Sequence, residues 1–428
     1  MNLMKTSIDK PKKISEIKNP KSYPPGTHII TGNQASAIGA YLAGVQVVAA
    51  YPITPQSPVV EELAKFIEDG ELNAEFVPVE SEHSAMSVCI GASTVGARVF
   101  TATSANGLAY MCEQLHWASG SRLPIVMACV NRAMAAPWSV QNDQQDSMSQ
   151  RDAGWIQLFC KDNQEILDTV IQAFKIAEKV YLPVMVCYDG YILSHTVMPV
   201  NIPDAKQVKN FLPHYKPHTP IELNNPVNIN PVTLSDPRKN AKGLLCHGYL
   251  EHKYLHHTAL RESLKVIEEV DEEFHQEFGR KCGGLFSSYM LEDAEVVIVC
   301  AGSIGLLSSI AIDMLRNVGV PSGLITLRAY RPFPNKKISE ALRNKKLIIT
   351  IDKSLSYGYQ GPICADLKSA LYEAKSQSLV IGYIAGLGGR DVKPYEIAEA
   401  AYECWAKYKS NEITSEDTIE SKWINCQY

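Results

Sequence analysis

The sequence predicts an α/β protein of two domains, the first built on a doubly wound parallel sheet. Three observations carry that prediction. Strand and helix signals alternate from residue 28 onward. Strands such as VMACV (126–130) are apolar on both faces, as strands covered by helices on each side are. After a stretch rich in Pro and Asn, the same alternation restarts at AEVVIVCAGS (294–303).

The elements follow in order. A helix is expected at 33–43, then the strand VQVVAAYPI (45–53). The next helix runs from Pro58 to about Asp69, with Ser57 as N-cap and the proline at the first helical position. AEFVPVE (74–80) reads as a strand and SEHSAMSVCIGASTVG (81–96) as a helix. RVFTATS (98–104) is a strand, GLAYMCEQLHWASG (107–120) one helix, and LPIVMACVN (123–131) a strand. The helix at 162–180 and the strand LPVMVCYDG (182–190) close this unit. From 198 to about 245 the pattern dissolves into an irregular arm, too long for a simple connection inside a compact sheet. A charged helix follows at about 252–278. Strands are then expected at 294–303, 322–330, 346–354 and 379–386, with helices between them. The division is therefore an N-terminal tail at 1–27, a first domain at 28–250 that includes the arm, and a second at 251–428 that includes the linking helix.

With 428 residues, 46% of them hydrophobic and 20% charged, the chain has the composition of a globular protein. A net charge of −5 gives no reason to expect nucleic acid, and no apolar run is long enough to span a membrane. The lysine-bearing N-terminus has no apolar segment after it, so a cytoplasmic location is expected. The eleven cysteines contain no C-x-x-C pair, and several sit inside apolar strands. They read as buried thiols and not as cluster ligands.

In an open parallel sheet, ligands gather outside the carboxyl ends of the strands. Those ends carry Thr54, then Glu80 and Glu82, then Thr103, Ser104 and Asn106, then Asn131 and Arg132. Taken singly, each has a plainer reading: Glu82 as a cap residue beside Ser81, Arg132 as half of a surface ion pair, Thr54 as a turn residue. His83 reads as a helix-face residue, since no second ligand stands at helical spacing. Their common placement on one edge of one sheet favours a binding rim. CAGSIG (300–305) offers two glycines but no full G-x-G-x-x-G, and is weak as a phosphate loop. GLGGRD (386–391) is a candidate for lining an interface.

These segments also carry a family resemblance. YPITPQSPVVEEL, VPVESEHSAMSVCIGAS, GARVFTATSANGLAYMCEQLHWASG and RLPIVMACVNRA, with RPFP (331–334) and GLGGRD further on, are similar to the alpha subunit of 2-oxoacid:ferredoxin oxidoreductases, most of all the pyruvate members. The pairing of Y-P-I-T-P with S-E-H-S-A about thirty residues on is its most specific part. The resemblance implies a thiamine-diphosphate-binding domain of the pyrimidine type, followed by a domain like the transketolase C-terminal one. It implies one subunit of a complex that converts a 2-oxoacid and coenzyme A to acyl-CoA, CO2 and reduced ferredoxin. On it, Glu82 takes the place of the glutamate at the aminopyrimidine, with Ser104 and Asn106 also facing the cofactor. Thr54 and Arg132 take the places that hold the substrate carboxylate, and Asn142 and Asp143 lie on the same substrate rim.

The chain has no G-D-G…N-N motif for the Mg2+-diphosphate end of thiamine; YDGY (188–191) is the nearest stretch. The Mg2+ and the 4Fe–4S clusters are accordingly expected in partners: a beta subunit with the diphosphate motif, a gamma subunit and a ferredoxin-like delta subunit. After the arginine, where pyruvate members often read N-D-H-S-D, this chain reads Asn142-Asp143-Gln144-Gln145-Asp146, preceded by Pro137-Trp138. That departure keeps open an aryl 2-oxoacid such as phenylglyoxylate as substrate. A non-catalytic scaffold subunit is the other alternative.

Overall fold

A computed structural model describes residues 23–215 and 249–428. The tail up to residue 22 and residues 216–248, which include the rest of the expected arm, lie outside the described residues.

In chain order the first half comprises β1 (Gly26–Thr31), α1 (Gly32–Leu42), β2 (Val47–Ala50), α2 (Ser57–Glu68) and β3 (Glu75–Pro78). There follow α3 (Glu82–Thr94), β4 (Val99–Thr103), α4 (Ala105–Tyr110), α5 (Cys112–Gly120) and β5 (Val126–Asn131). Then come α6 (Gln145–Ser149), β6 (Ile156–Phe159), α7 (Asn163–Val180), β7 (Val184–Asp189), β8 (Val197–Ile202), α8 (Ala205–Phe211) and the long α9 (Tyr249–Phe278). The second half has β9 (Phe286–Tyr289), β10 (Val296–Ala301), α10 (Ile304–Asn317), β11 (Ser322–Leu327), β12 (Ala329–Arg331) and α11 (Asn335–Leu342). It closes with β13 (Leu347–Asp352), α12 (Pro362–Glu373), β14 (Leu379–Ile384), α13 (Pro394–Lys409), α14 (Ser415–Ile419) and β15 (Lys422–Trp423).

One sheet has the order β12-β6-β7-β5-β4-β2-β3, parallel except for β12. A second has the order β15-β14-β13-β10-β11-β9, parallel except for β9. The central strands β4, β5, β7, β10 and β13 are buried at every position, which is why their sequences are apolar without alternation. One apolar cluster joins Met127, Phe159 and Met185 of the first sheet to Val297, Val299 and Ile325 of the second. The α9 helix buries Ala259, Ile267, Val270 and Phe274 in the core of the first half.

Several elements differ from the sequence expectation, each for a local reason. Gln56, not Ser57, holds the N-cap position of α2 and makes no side-chain cap bond. Its amide donates to the Tyr51 carbonyl at 2.8 Å, and a turn from Gln56 N to Ile53 O starts the helix one residue early. The helix expected over 107–120 is two, α4 and α5, meeting at Met111. The segment 322–330 is not one strand: β11 ends at Leu327 and β12 crosses to pair antiparallel with β6 of the other sheet. The buried Arg328 lies at the crossing, its guanidinium bonded to the Gly284 carbonyl, Thr169 Oγ1 and Gln172 Oε1. Only the second part of the expected arm falls outside the described residues. Its first part forms β8 and α8, with β8 pairing antiparallel to β1 alone, so Pro199 sits in an edge strand where it is tolerated.

Candidate active site

The parallel strands of the first sheet bring the expected residues to one edge. Past β2, the Thr54 turn is pinned from behind. Asn33 Nδ2 donates to the Pro55 carbonyl at 2.7 Å, and Tyr188 donates to Asn33 Oδ1 at 3.0 Å. Thr54 itself is exposed, and its carbonyl oxygen accepts a 2.7 Å hydrogen bond from Arg132 Nη1. The structure thus brings Thr54 and Arg132 together across 78 positions, through the threonine backbone. Arg132 is 6% exposed, and its Nε is buried with no partner among the described residues. A buried guanidinium with an orphaned donor is a place for an anionic acceptor.

Ser81 is the N-cap of α3: its hydroxyl accepts from Ser84 N at 3.2 Å. Glu82 is therefore relieved of capping, and its carboxylate turns to the start of α4. A Cβ built on Gly107 would meet Glu82 Oε1 at 2.5 Å and Thr103 Oγ1 at 2.8 Å. Glu82 is 8% exposed, and its carboxylate accepts no hydrogen bond among the described residues; the Thr103 hydroxyl beside it is fully buried and unpartnered. A carboxylate held there without a donor fits a ligand that brings its own N–H group. Glu80 is exposed, and a hydrogen bond from Ser84 lowers its pKa below the ordinary carboxylate range. His83 packs on the next helices, 3.0 Å from Gln114 Nε2 and with its ring against Tyr110.

The remaining rim residues serve other partners. Ser104 donates to the Val130 carbonyl at 2.6 Å, tying β4 to β5. Asn106 is exposed and its Oδ1 accepts from Ala135 N at 3.1 Å. Asn142 and Asp143 are both buried and turn to the second half of the chain: Asn142 Oδ1 accepts from Lys353, and Asp143 Oδ2 accepts from Gly388 N at 3.1 Å. Burial raises the Asp143 pKa. Gln144 and Gln145 face the same way, Gln144 Nε2 donating to the Ala301 carbonyl at 3.0 Å and Gln145 Oε1 accepting from Leu355 N at 2.9 Å. Trp138 is 74% exposed. GLGGRD lines this contact, with Gly389 N donating to the Asn142 carbonyl at 2.7 Å. CAGSIG does too: Gly302 has φ +76° and a Cβ there would stand 2.5 Å from Gln144 Nε2, so its glycine permits close packing of the two halves.

Sequence reasoning did not find three residues beneath the rim. Asp189, the acid of YDGY at the end of β7, is fully buried. It accepts from Ser303 N at 3.0 Å and from the Ser303 hydroxyl, and pairs with Lys353 at 3.2 Å. Lys353 stands at the end of β13, so the ion pair joins the carboxyl ends of the two sheets. The YDGY stretch was the available signal for Asp189; nothing in IDKS marks Lys353. Asp146 is the third. Its carboxylate receives Ala105 N, Arg132 N, Asn131 Nδ2 and Ser147 N, and burial pushes its pKa up to about 7.

Among the described residues no group of three or more His, Cys, Asp or Glu is placed to hold a metal ion. Of the ten described cysteines eight are buried, and burial pushes the Cys89 and Cys300 thiols up to about 12. An open cleft of about 1190 Å³ lies elsewhere, between α9, the loop before β6 and α12, and no rim residue lines it. No helix is long and apolar enough to cross a membrane among the described residues.

Residues 38–271 match the family model described as pyruvate flavodoxin/ferredoxin oxidoreductase, thiamine-diphosphate-binding. Residues 294–397 match the pyruvate:ferredoxin oxidoreductase core domain II. The chain is 48% identical over 370 residues to pyruvate synthase subunit PorA of Methanocaldococcus jannaschii, covering 85% of this chain and 91% of that one. It is 43% identical over 395 residues to ketoisovalerate oxidoreductase subunit VorA of Pyrococcus horikoshii, covering 92% and 98%. Its fold is like that of the 2-oxoglutarate:ferredoxin oxidoreductase of Magnetococcus marinus, with a TM-score of 0.68 at 20% identity, over 89% of this chain and 65% of that chain. The first match ends inside α9 and the second begins just before β10, and the first spans the whole rim from Thr54 to Asp146. The chain belongs to the 2-oxoacid:ferredoxin oxidoreductases of the pyruvate:ferredoxin type, as a subunit of their alpha kind.

Proposed function

We propose that this chain supplies the pyrimidine-side half of a thiamine diphosphate site in a hetero-oligomer that oxidises pyruvate with coenzyme A and passes the electrons to ferredoxin. The observation that carries the reading is the pairing on one rim of Arg132, whose buried Nε has no acceptor, with Glu82, a residue 8% exposed whose carboxylate accepts no hydrogen bond among the described residues. The relatives named pyruvate synthase subunit support the substrate.

When bound, thiamine diphosphate supplies the electron sink that loss of CO2 from a 2-oxoacid requires. Glu82 would hold the aminopyrimidine through its ring nitrogen, keeping a negative charge where that ring must take up and release a proton. The Gly107 surface supports the carboxylate from behind. Arg132 would hold the substrate carboxylate with the donors left free by its bond to Thr54. The exposed Thr54 hydroxyl stands at the mouth of the same turn, and Asn106 keeps its amide nitrogen for the cofactor. Ser104 shapes the rim through Val130.

Asn142 and Asp143 act, in this reading, by fixing the second half of the chain against the rim. Because Gln144 and Gln145 also point into that contact, nothing favours an aryl 2-oxoacid over pyruvate, and no observation favours a scaffold role. The domain boundary is best drawn after α9, whose apolar face belongs to the first core. We place the Mg2+-diphosphate end on a beta subunit and the 4Fe–4S clusters on partners such as the delta subunit. That placement is supported by the lack of G-D-G…N-N and C-x-x-C patterns in the sequence; a gamma subunit would complete the complex.

The test is to assay the purified chain alone and with its co-purifying partners. The chain alone is expected to bind no thiamine diphosphate at micromolar levels and to consume no pyruvate, while the complex does both. A chain active by itself would overturn the half-site reading.

A further inference from the structure

We propose that Asp146 is a positioning residue that holds the Arg132 arm and the Glu82-facing arm in one fixed register and links that register to the second half of the chain. The inference rests on the function proposed for the rim. One carboxylate oxygen, Oδ2, accepts from Ala105 N at 2.9 Å and from Arg132 N at 3.0 Å. These amides follow two neighbouring strands, β4 and β5. Ala105 has φ +46°, an unfavourable conformation for a residue with a side chain, and it opens α4 two positions before the Gly107 surface on which Glu82 rests. On the other arm, the Arg132 side chain reaches from its anchored amide to the Thr54 carbonyl.

The second oxygen, Oδ1, accepts from Asn131 Nδ2 at 2.7 Å and from Ser147 N at 2.8 Å. Four nitrogen donors meet this carboxylate, and the Cys129 thiol lies 3.9 Å from Oδ2. An asparagine in its place turns an NH2 group toward one pair of donors whichever way it flips. The four residues before Asp146 all bond to the second half: Asn142 through Gly389 N, Asp143 through Gly388 N, Gln144 through the Lys353 and Ala301 carbonyls, and Gln145 through Leu355 N. A shift of the second half is therefore carried directly to Asp146, and from there to both arms.

The test uses the co-purified complex carrying Asp146→Asn, with the KM for pyruvate, the KM for coenzyme A and the apparent Kd for thiamine diphosphate measured together. The pyruvate KM is expected to rise about tenfold or more, the size of losing one or two buried hydrogen bonds. The thiamine diphosphate Kd should rise with it, and the coenzyme A KM should change less than about twofold. A variant with lowered melting temperature and all three constants unchanged would reduce Asp146 to a structural residue and overturn the proposal.

A second measurement needs neither activity nor a stable variant. In the wild-type complex at about pH 8, where carboxylates are ionised, the Ala105 and Arg132 amides should exchange hydrogen at rates within about threefold of each other, because one group protects both. Rates differing by more than about tenfold would overturn the proposal. If the wild-type complex used no 2-oxoacid while the two amides exchanged together, the reading of the rim would fail and the positioning role would stand.

Discussion

Gly107 lies so close to Glu82 that a Cβ atom on it would stand 2.5 Å from Oε1 of the carboxylate. The atom in the way is the far end of the Glu82 side chain, which can yield by turning its carboxylate aside, while Thr103 Oγ1, 2.8 Å from the same Cβ, belongs to a fully buried strand residue. Gly107→Ala is expected to cost about 1–3 kcal/mol of stability through overpacking. It should also swing Glu82 away and lower turnover of the assembled complex about tenfold or more. Urea unfolding and steady-state kcat, measured on the same preparation, check the two effects together.

The carboxylate clamp makes a distinct prediction. Arg132→Lys loses the planar fork and the bond to the Thr54 carbonyl, so the pyruvate KM should rise well over about tenfold. Thr54→Val keeps that carbonyl and removes only the hydroxyl, and should raise the pyruvate KM less. The coenzyme A KM should change little in either variant. Initial rates against each substrate in turn measure all of these.

Lys353 and Asp189 form a buried ion pair between the two sheets. Removing one charge strands the other, so Lys353→Met alone should destabilise by about 3–5 kcal/mol. Lys353→Met combined with Asp189→Asn removes both charges of the pair and keeps an acceptor for Ser303, and should recover a large part of that loss. Denaturant midpoints of the two single variants, the double variant and the parent close the cycle.

Three buried carboxyls, Asp146, Glu165 and Asp352, have their pKa pushed up to about 7 by burial, from ordinary values of 3.8, 4.5 and 3.8. The folded state therefore binds these protons more tightly than the unfolded chain does. Their contribution to stability is complete below about pH 4 and is lost as pH rises to about 7. The melting temperature should fall across that window and flatten above it. Asp352→Asn, which cannot ionise, should reduce the slope between about pH 5 and pH 7, as followed by calorimetry of the parent and the variant.

The rim was legible because parallel strands put their carboxyl ends on one side. Thr54, Glu82 and Arg132 could be placed there from strand order in the sequence alone. What the side chains do at that edge was less legible. Ser104, Asn142 and Asp143 read as polar rim residues, yet they bond Val130, Lys353 and Gly388. A strand-end position fixes where a residue sits, but not which of two packed halves it faces. Lys353 and Asp189 escaped notice for the same reason: each belongs to a different sheet, and their pairing exists only where the sheets meet. The crossing of β12 was hidden because Arg328 looks like a surface residue in a strand until its burial is known. β8 was hidden by Pro199, a residue that argues against strand everywhere except at an edge.

The central claim is that Glu82 serves the cofactor and not its helix. The most direct measurement is deuterium exchange of the thiazolium proton of thiamine diphosphate bound to the co-purified complex, with Glu82 and with Glu82→Gln. Glutamine keeps the shape of the side chain and removes its charge, while Ser81 continues to cap α3. Exchange in the variant should slow by at least about a hundredfold with the complex still assembled. Exchange at close to the parent rate would contradict the assignment.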